Sequence, residues 1–302
     1  MFRRLRQILV VMAASLALCG PVSATEPGVL VLGRISDDPA AHYDPLKQLL
    51  DYVVPRMADV GIREGRVLMA RDLKQMESYL RRGRVDWVTE TSATAMALES
   101  RAGARALLLP ERSGVNSYNT VFITRRDSGI EGFEDLRGRS IAFQNLTSTS
   151  AYVVPAMVLI GKGLDMEVLL SPFDRPSEDS VGYLFARSEL NISTWVHKGL
   201  VDAGAFSNLD WARMPESYRQ DLVAFHSTGE FPRGLEMVRG DLDPAVARRL
   251  RTVLAEAAND PAASEALQRF FGTTRFLPID EETRLALDEL RDGVGRVGAV
   301  LE

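Results

Sequence analysis

The run from Ser140 to Pro155 constrains the fold more than any other stretch of the chain. Ile141, Ala142 and Phe143 form an apolar run with the length and composition of a buried strand. Asn145 follows, and then four consecutive hydroxyl residues, Thr147, Ser148, Thr149 and Ser150. After them Val153, Val154, Met157, Val158 and Ile160 recur at helical spacing. A strand that ends in hydroxyls opening a helix makes a polar pocket. The first helical turn leaves backbone N–H groups unpaired, and its dipole favours negative charge. Serine and threonine add donors without adding charge, so the junction suits a small oxyanion. A plainer reading stays open, in which one of these hydroxyls is simply the helix N-cap. With Ser150 as the cap, Pro155 takes the fifth helical position and forfeits a backbone bond, so an irregular or kinked start is expected.

Ser148-Thr149-Ser150 with a proline five residues on follows Asp127-Ser128-Gly129-Ile130 and Asp135-Leu136-Arg137-Gly138. Together with Gly83-Arg84-Val85-Asp86 and the run Gly199 to Ala205, this ordered set resembles the periplasmic phosphate-, phosphite- and phosphonate-binding proteins of ABC transporters. The likeness extends over nearly all of the chain after residue 24. It implies a two-lobed α/β periplasmic solute-binding fold of type 2, with a mixed sheet in each lobe and the ligand in the cleft between them. On that basis residues 25–115 and 223–302 belong to the first lobe and residues 116–222 to the second. Lobe closure on ligand is expected, with hinges near Val115–Thr120 and Leu222–His226. In the family a tyrosine at the start of the first helix reaches the ligand, and Tyr43 matches it. On residue type alone, packing explains Tyr43 equally well.

The pocket departs from the family pattern in two places. After the Asp86 strand the family carries a small Gly-Pro type turn and a tyrosine, whereas this chain has Thr89, Glu90, Thr91 and Ser92. A carboxylate beside a fully ionised anion costs affinity unless it accepts a hydrogen bond from the ligand. Glu90 therefore either turns outward into solvent or accepts from an amine, hydroxyl or acidic proton. The second departure is the missing Gly-Ser-His triplet, whose place is held by Ser188, Glu189 and Asn191 before a helix from Ile192 to Lys198. Capping is the competing explanation for Ser188 and Asn191. Ser207 and Asn208 form another polar cluster where the family reaches toward its ligand. The candidate ligand-binding set is thus Tyr43, Glu90, Thr91, Ser92, Thr147, Ser148, Thr149, Ser150, Glu189 and Asn208.

Elsewhere the pattern reads as packing. Strands are expected at Val29–Gly33, Arg66–Ala70, Val85–Val88, Leu107–Pro110 and Thr120–Thr124. A helix is expected to open at His42-Tyr43-Asp44-Pro45 and run through Val53, with His42 on the surface. Leu222–Phe225 is expected to return the chain to the first lobe. Asp243 and Pro244 read as cap and first residue of a helix, and a terminal amphipathic helix starts at Glu281. Arg248, Arg249 and Arg251 read as a solvated helix face.

The N-terminus has the form of a cleavable secretory signal over residues 1–24. Arg3, Arg4 and Arg6 precede an apolar run from Ile8 to Leu18 and a small-residue site, Val22-Ser23-Ala24. Cys19 is the only cysteine, and Leu18 before it disfavours lipidation. The mature chain then has no disulfide and no thiol nucleophile. Loss of the three arginines takes the net charge from −5 to −8, which disfavours nucleic acid as a partner. No cofactor or metal is expected, and the three histidines are scattered with no nucleophile–base pair, which argues against an enzyme. Three readings compete: the receptor of an ABC importer, a ligand-sensing receptor for a membrane sensor kinase or cyclase, and an enzyme. The first leads. The expected protein is a periplasmic monomer that binds a small-molecule ligand and docks on an ABC permease or a membrane sensor.

Overall fold

The computed structural model describes Glu26 and residues 28–301. The expected signal segment, with Cys19, lies outside the described residues.

The first lobe begins with three strand–helix units. They are β1 (Val29–Ile35) and α1 (Pro39–Val53), β2 (Glu64–Ala70) and α2 (Leu73–Arg81), then β3 (Trp87–Thr91) and α3 (Ser92–Ala102), followed by β4 (Arg105–Arg112). β1 pairs in parallel with β2 and with β3. Val29 to Gly33 are all buried, as a strand covered on both faces requires. After a short β5 (Ser117–Tyr118) the chain enters a second sheet through β6 (Thr120–Arg125) and β7 (Ser140–Phe143). There follow α4 (Val154–Gly161), β8 (Asp165–Val168), β9 (Ser180–Phe185), α5 (Glu189–His197), β10 (Ala203–Ser207), α6 (Asn208–Arg213), α7 (Glu216–Asp221) and β11 (Leu222–Ser227). The return consists of β12 (Phe231–Pro232), β13 (Gly234–Val238), α8 (Pro244–Glu256), α9 (Ser264–Arg269), β14 (Thr273–Leu277) and α10 (Glu281–Leu301).

The first sheet has the order β14-β4-β13-β3-β1-β2 and the second β11-β6-β10-β7-β9-β8. Both are mixed. The two connecting segments pair with each other as β5 and β12, Tyr118 opposite Phe231. One expectation fails here. Leu222–Phe225 does not return the chain to the first sheet, because β11 pairs antiparallel with β6 in the second. The chain rejoins the first sheet only at β13, between β3 and β4. A four-residue apolar run fits either sheet. Its partner is chosen by the Phe122, Phe133 and Phe225 rings, which pack against one another.

Local chemistry sets the helix starts. α1 begins three residues before His42, capped by Asp38, whose carboxylate accepts the Ala41 N–H at 3.2 Å. Tyr43 therefore stands inside the helix and not at its start. His42 is half-buried, not a surface residue, with Nδ1 2.6 Å from Ser36 Oγ. Burial, and then the Arg34 charge, lower its pKa. The cap of the hydroxyl helix is Ser148, not Ser150: its Oγ accepts the Ala151 N–H at 3.2 Å. A single π turn follows over Thr149–Val153, with Ala151 off helical geometry (φ −113°, ψ 15°). The turn delays the regular helix until Val154, so Pro155 falls in its first turn, where a missing N–H costs little. The irregular start expected from Pro155 is present. α5 begins at Glu189, three residues earlier than expected, with Ser188 as its cap. Asp243 and Pro244 open α8 as cap and first residue. On α8, Arg248 and Arg251 are exposed, but Arg249 Nε donates to the Arg56 carbonyl at 2.8 Å.

One helix ties the lobes into one molecule. α10 packs on α3 of the first lobe and α4 of the second. Arg291 bonds Glu99 Oε2 at 2.9 and 2.7 Å on the α3 side. On the α4 side the helices are so close that a Cβ on Gly293 would lie 1.9 Å from Met157 Cε. Within the first lobe, Glu236 is fully buried on β13. Its carboxylate accepts Trp87 Nε1–H at 2.6 Å and Thr89 Oγ1–H at 2.8 Å. Burial pushes its pKa up to about 7, against the pull of Arg112.

Gly293→Ala forces Met157 out of its notch and should cost about 1 kcal/mol, the low end for overpacking because a thioether can move. A second change, Met157→Ala, should recover part of that loss, which a double-mutant cycle in denaturant measures. Glu236 predicts a pH effect. Folded, it titrates near 7 against an ordinary 4.5, so the native state holds the extra proton between those values. Stability should therefore fall as pH rises from about 5 to 7 and level off above. Glu236→Gln, which keeps an acceptor for Trp87, should flatten that slope in unfolding midpoints measured across the range.

Candidate functional site

Two strand–helix junctions, one from each lobe, meet face to face. β3 ends at Thr91 and opens α3, and β7 ends at Phe143 before the π turn that opens α4. The Ala93 N–H, one of the unpaired donors in the first turn of α3, donates to Thr149 Oγ1 at 2.9 Å. Thr91 Oγ1 and Thr94 Oγ1 both reach the Thr147 carbonyl, at 2.9 and 3.2 Å. Thr149 is fully buried. The phenol of Tyr118, from the connecting strand, is buried beside Ser150 and Thr149, and burial raises its pKa. Thr120 Oγ1 donates to the Ser150 carbonyl at 2.8 Å, fixing the junction to β6.

Not all the expected hydroxyls point into this meeting place. Thr147 donates through its N–H and Oγ1 to Asn145 Oδ1, at 3.0 and 2.9 Å, so its side chain serves its own loop. Ser148 is the cap. Ser92 is fully buried and donates to the Pro232 carbonyl. The structure thus brings together Thr91, Thr147 through its carbonyl, Thr149 and Ser150, and turns Ser92 and Ser148 to local bonds.

Glu90 does not turn out to solvent. It is 3% exposed, and its Oε1 accepts the Ile35 N–H at 2.6 Å at the end of β1. Burial raises its pKa, opposed first by Arg34. Arg34 Nη1 donates to the Thr89 carbonyl and Arg112 Nη2 to Thr89 Oγ1, both at 3.3 Å. Both guanidinium groups lie over the Phe271 ring, 4.5 and 4.9 Å from its centroid. Burial pulls the Arg112 pKa down to about 10. Arg34 and Arg112 close their strands as ordinary strand-end residues in the sequence, and only the β13 register sets Glu236 beside Thr89. Their one sequence signal is an arginine near the C-terminal end of a largely apolar strand.

The remaining candidates lie apart from the junction bonds. Tyr43 is 44% exposed on α1. Glu189 is half-buried at the start of α5, its pKa raised by burial and next by Asp210. Asn208 exchanges bonds with the Asn119 backbone, N–H to carbonyl at 2.9 Å and Oδ1 to N–H at 3.1 Å. It fastens α6 to the start of β6.

Comparison with known proteins places this geometry in a family. Residues 37–283 match the model of the ABC transporter phosphonate periplasmic substrate-binding proteins. A solved structure of XAC2383 from Xanthomonas citri bound to chloride ion is 53% identical, superposes with a TM-score of 0.86, and covers 90% of this chain and 99% of that one. The same protein has been solved bound to ATP. The phosphate-import protein PhnD of Mycolicibacterium smegmatis is 23% identical over 241 residues, 74% of this chain and 69% of that protein. The tetrathionate sensor histidine kinase TtrS of Salmonella typhimurium is 28% identical over 171 residues, 55% of this chain but only 28% of the kinase. Two mixed sheets joined by paired crossings, with strand–helix junctions facing across the lobes, agree with the matched residues: the chain belongs to the phosphonate periplasmic substrate-binding protein family of ABC transporters.

Proposed function

We propose that this protein is a periplasmic receptor that binds a small oxyanion or related solute where α3 and the Thr149 turn meet. Lobe closure is its mechanism, and no bond is broken. The observation that carries this reading is the bond from the Ala93 N–H to Thr149 Oγ1 across the lobes. It marks a helix-start donor aimed at an acceptor oxygen, the relation that an anion's oxygen would take up on opening. The Ser150 and Tyr118 hydroxyls add neutral donors at the same point. Glu90 is compatible with an anion there because its carboxylate is bound to the Ile35 N–H. Anionic ligands of the Xanthomonas protein, chloride and ATP, accord with the same class of solute. The partner on this reading is an ABC permease.

A second reading has a specific observation in its favour. The likeness to TtrS covers just over half of this chain, and TtrS is a sensor kinase. A receptor read by a membrane sensor fits a pocket whose Gly-Ser-His triplet is replaced by Ser188, Glu189 and Asn191. An adjacent sensor gene would favour this reading, and an adjacent permease gene the first.

Thermal unfolding against phosphate, phosphite, methylphosphonate, aminoethylphosphonate, sulfate and ATP tests the proposal. A ligand at one hundred times its dissociation constant should add about 2.7 kcal/mol. Thr149→Val, which keeps the volume but removes the oxygen, should abolish that response while near-ultraviolet circular dichroism stays native. An undiminished response in the variant would move the site elsewhere. Silence across the whole panel would mean a rebuilt pocket and would favour the sensor reading.

A further inference from the structure

The Arg34 and Arg112 pair is not accounted for by packing. Arg112 is 8% exposed, and the Nε–H groups of both arginines are buried without an acceptor among the described residues. Neither guanidinium forms an ion pair with a described carboxylate, although Glu90 and Glu236 are near enough to act on the Arg112 charge. The carboxylates are turned to other donors, Glu90 to the Ile35 N–H and Glu236 to Trp87 and Thr89. Each arginine keeps one long bond, at 3.3 Å, to Thr89. A guanidinium presents five donors, and burying it with so few bonds is costly. The residue whose ring both guanidinium groups approach has a strained backbone: Phe271 sits at φ +57°, in the left-handed region. Strained residues of this kind persist where a ligand clamp demands them.

We infer that Arg34 and Arg112, beside the Phe271 ring, form a second anion site within the first lobe, one that takes a small singly charged anion of halide size. The charge count favours a single charge. Arg34, Arg112 and Arg233 against Glu90 and Glu236 leave one positive charge when all are ionised, which a single anion neutralises. Burial raises both carboxyls, Glu236 to about 7. The other groups facing the pair are His42 on α1 and the Arg233 cation. Lowering the pH from 8 to 6 protonates Glu236, and His42 can only add positive charge, so anion affinity should rise. The site stands independently of the α3–Thr149 reading, since it shares no bond with Thr149.

Bromide is the probe. Crystals of the wild-type protein grown in sodium bromide should show an anomalous peak in contact with the Nε atoms of Arg34 and Arg112. In solution, bromide should raise the unfolding midpoint saturably over sodium gluconate of equal ionic strength, with tighter binding at pH 6 than at pH 8. Arg34→Gln, at the half-exposed arginine, should weaken that binding at least tenfold, and Thr149→Val should leave it unchanged. The absence of a peak at the pair, or an equal response in Arg34→Gln, overturns the inference. Loss of the bromide response in Thr149→Val alone would put the halide at the helix starts. That result would overturn this site while leaving the proposed solute site standing.

Discussion

A helix start with unpaired N–H groups must find acceptors, and in this fold it finds them in the other lobe. α3 aims its first turn at the Thr147–Ser150 junction because β3 and β7 each run in parallel with a neighbour and end on the side where the lobes face. Thr149 then completes the α3 turn, while Thr91 and Thr94 satisfy the Thr147 carbonyl. All three bonds run one way, the first lobe donating and the second accepting. The hydroxyl run of the sequence thus has a double role, as cap for its own helix and as acceptor for its neighbour's. On the proposed reading, a solute entering here would compete with bonds of about 1 kcal/mol each, a modest barrier beside the charge-assisted bonds that an anion would form.

α10 limits how such competition is resolved. It lies on both lobes, so any separation must either break one contact or carry the helix along. Toward the first lobe it is joined by a two-nitrogen bond from Arg291 to Glu99. Toward the second, Met157 fills the notch at Gly293. A paired guanidinium is directional, whereas a thioether slides and repacks. The weaker joint is therefore on the α4 side.

The scaffold was legible in the sequence and the pocket only partly so. Apolar runs fixed strands such as Val29–Gly33 and Ile141–Phe143, and Asp243-Pro244 fixed a helix start, because these signals are local. Leu222–Phe225 went to the wrong sheet because choice of partner strand is decided by distant aromatic packing. Pro155 predicts an irregular helix start, but the cap is Ser148 and not Ser150 because a π turn moves the regular helix by several residues. Thr91 and Thr149 could be nominated from residue type and strand–helix order. Arg34, Arg112 and Glu236 could not, because their meeting depends on strand order and on an antiparallel register spanning well over a hundred residues.

The Glu90 departure gains a physical sense from that meeting. A carboxylate one residue from the end of β3 would repel an anion at the α3 start if it were free. It is held back by the Ile35 N–H and stands in the field of Arg34 and Arg112. The buried Arg112 and the half-buried Arg34 in turn depend on carboxylates nearby, since two neighbouring cations alone would be driven apart. Glu90, Glu236, Arg34 and Arg112 therefore form one electrostatic unit, and replacing any one member changes the cost of burying the other three. Removing Glu90 alone would therefore leave Arg34 and Arg112 with less compensation, so the arginines would have to change with it.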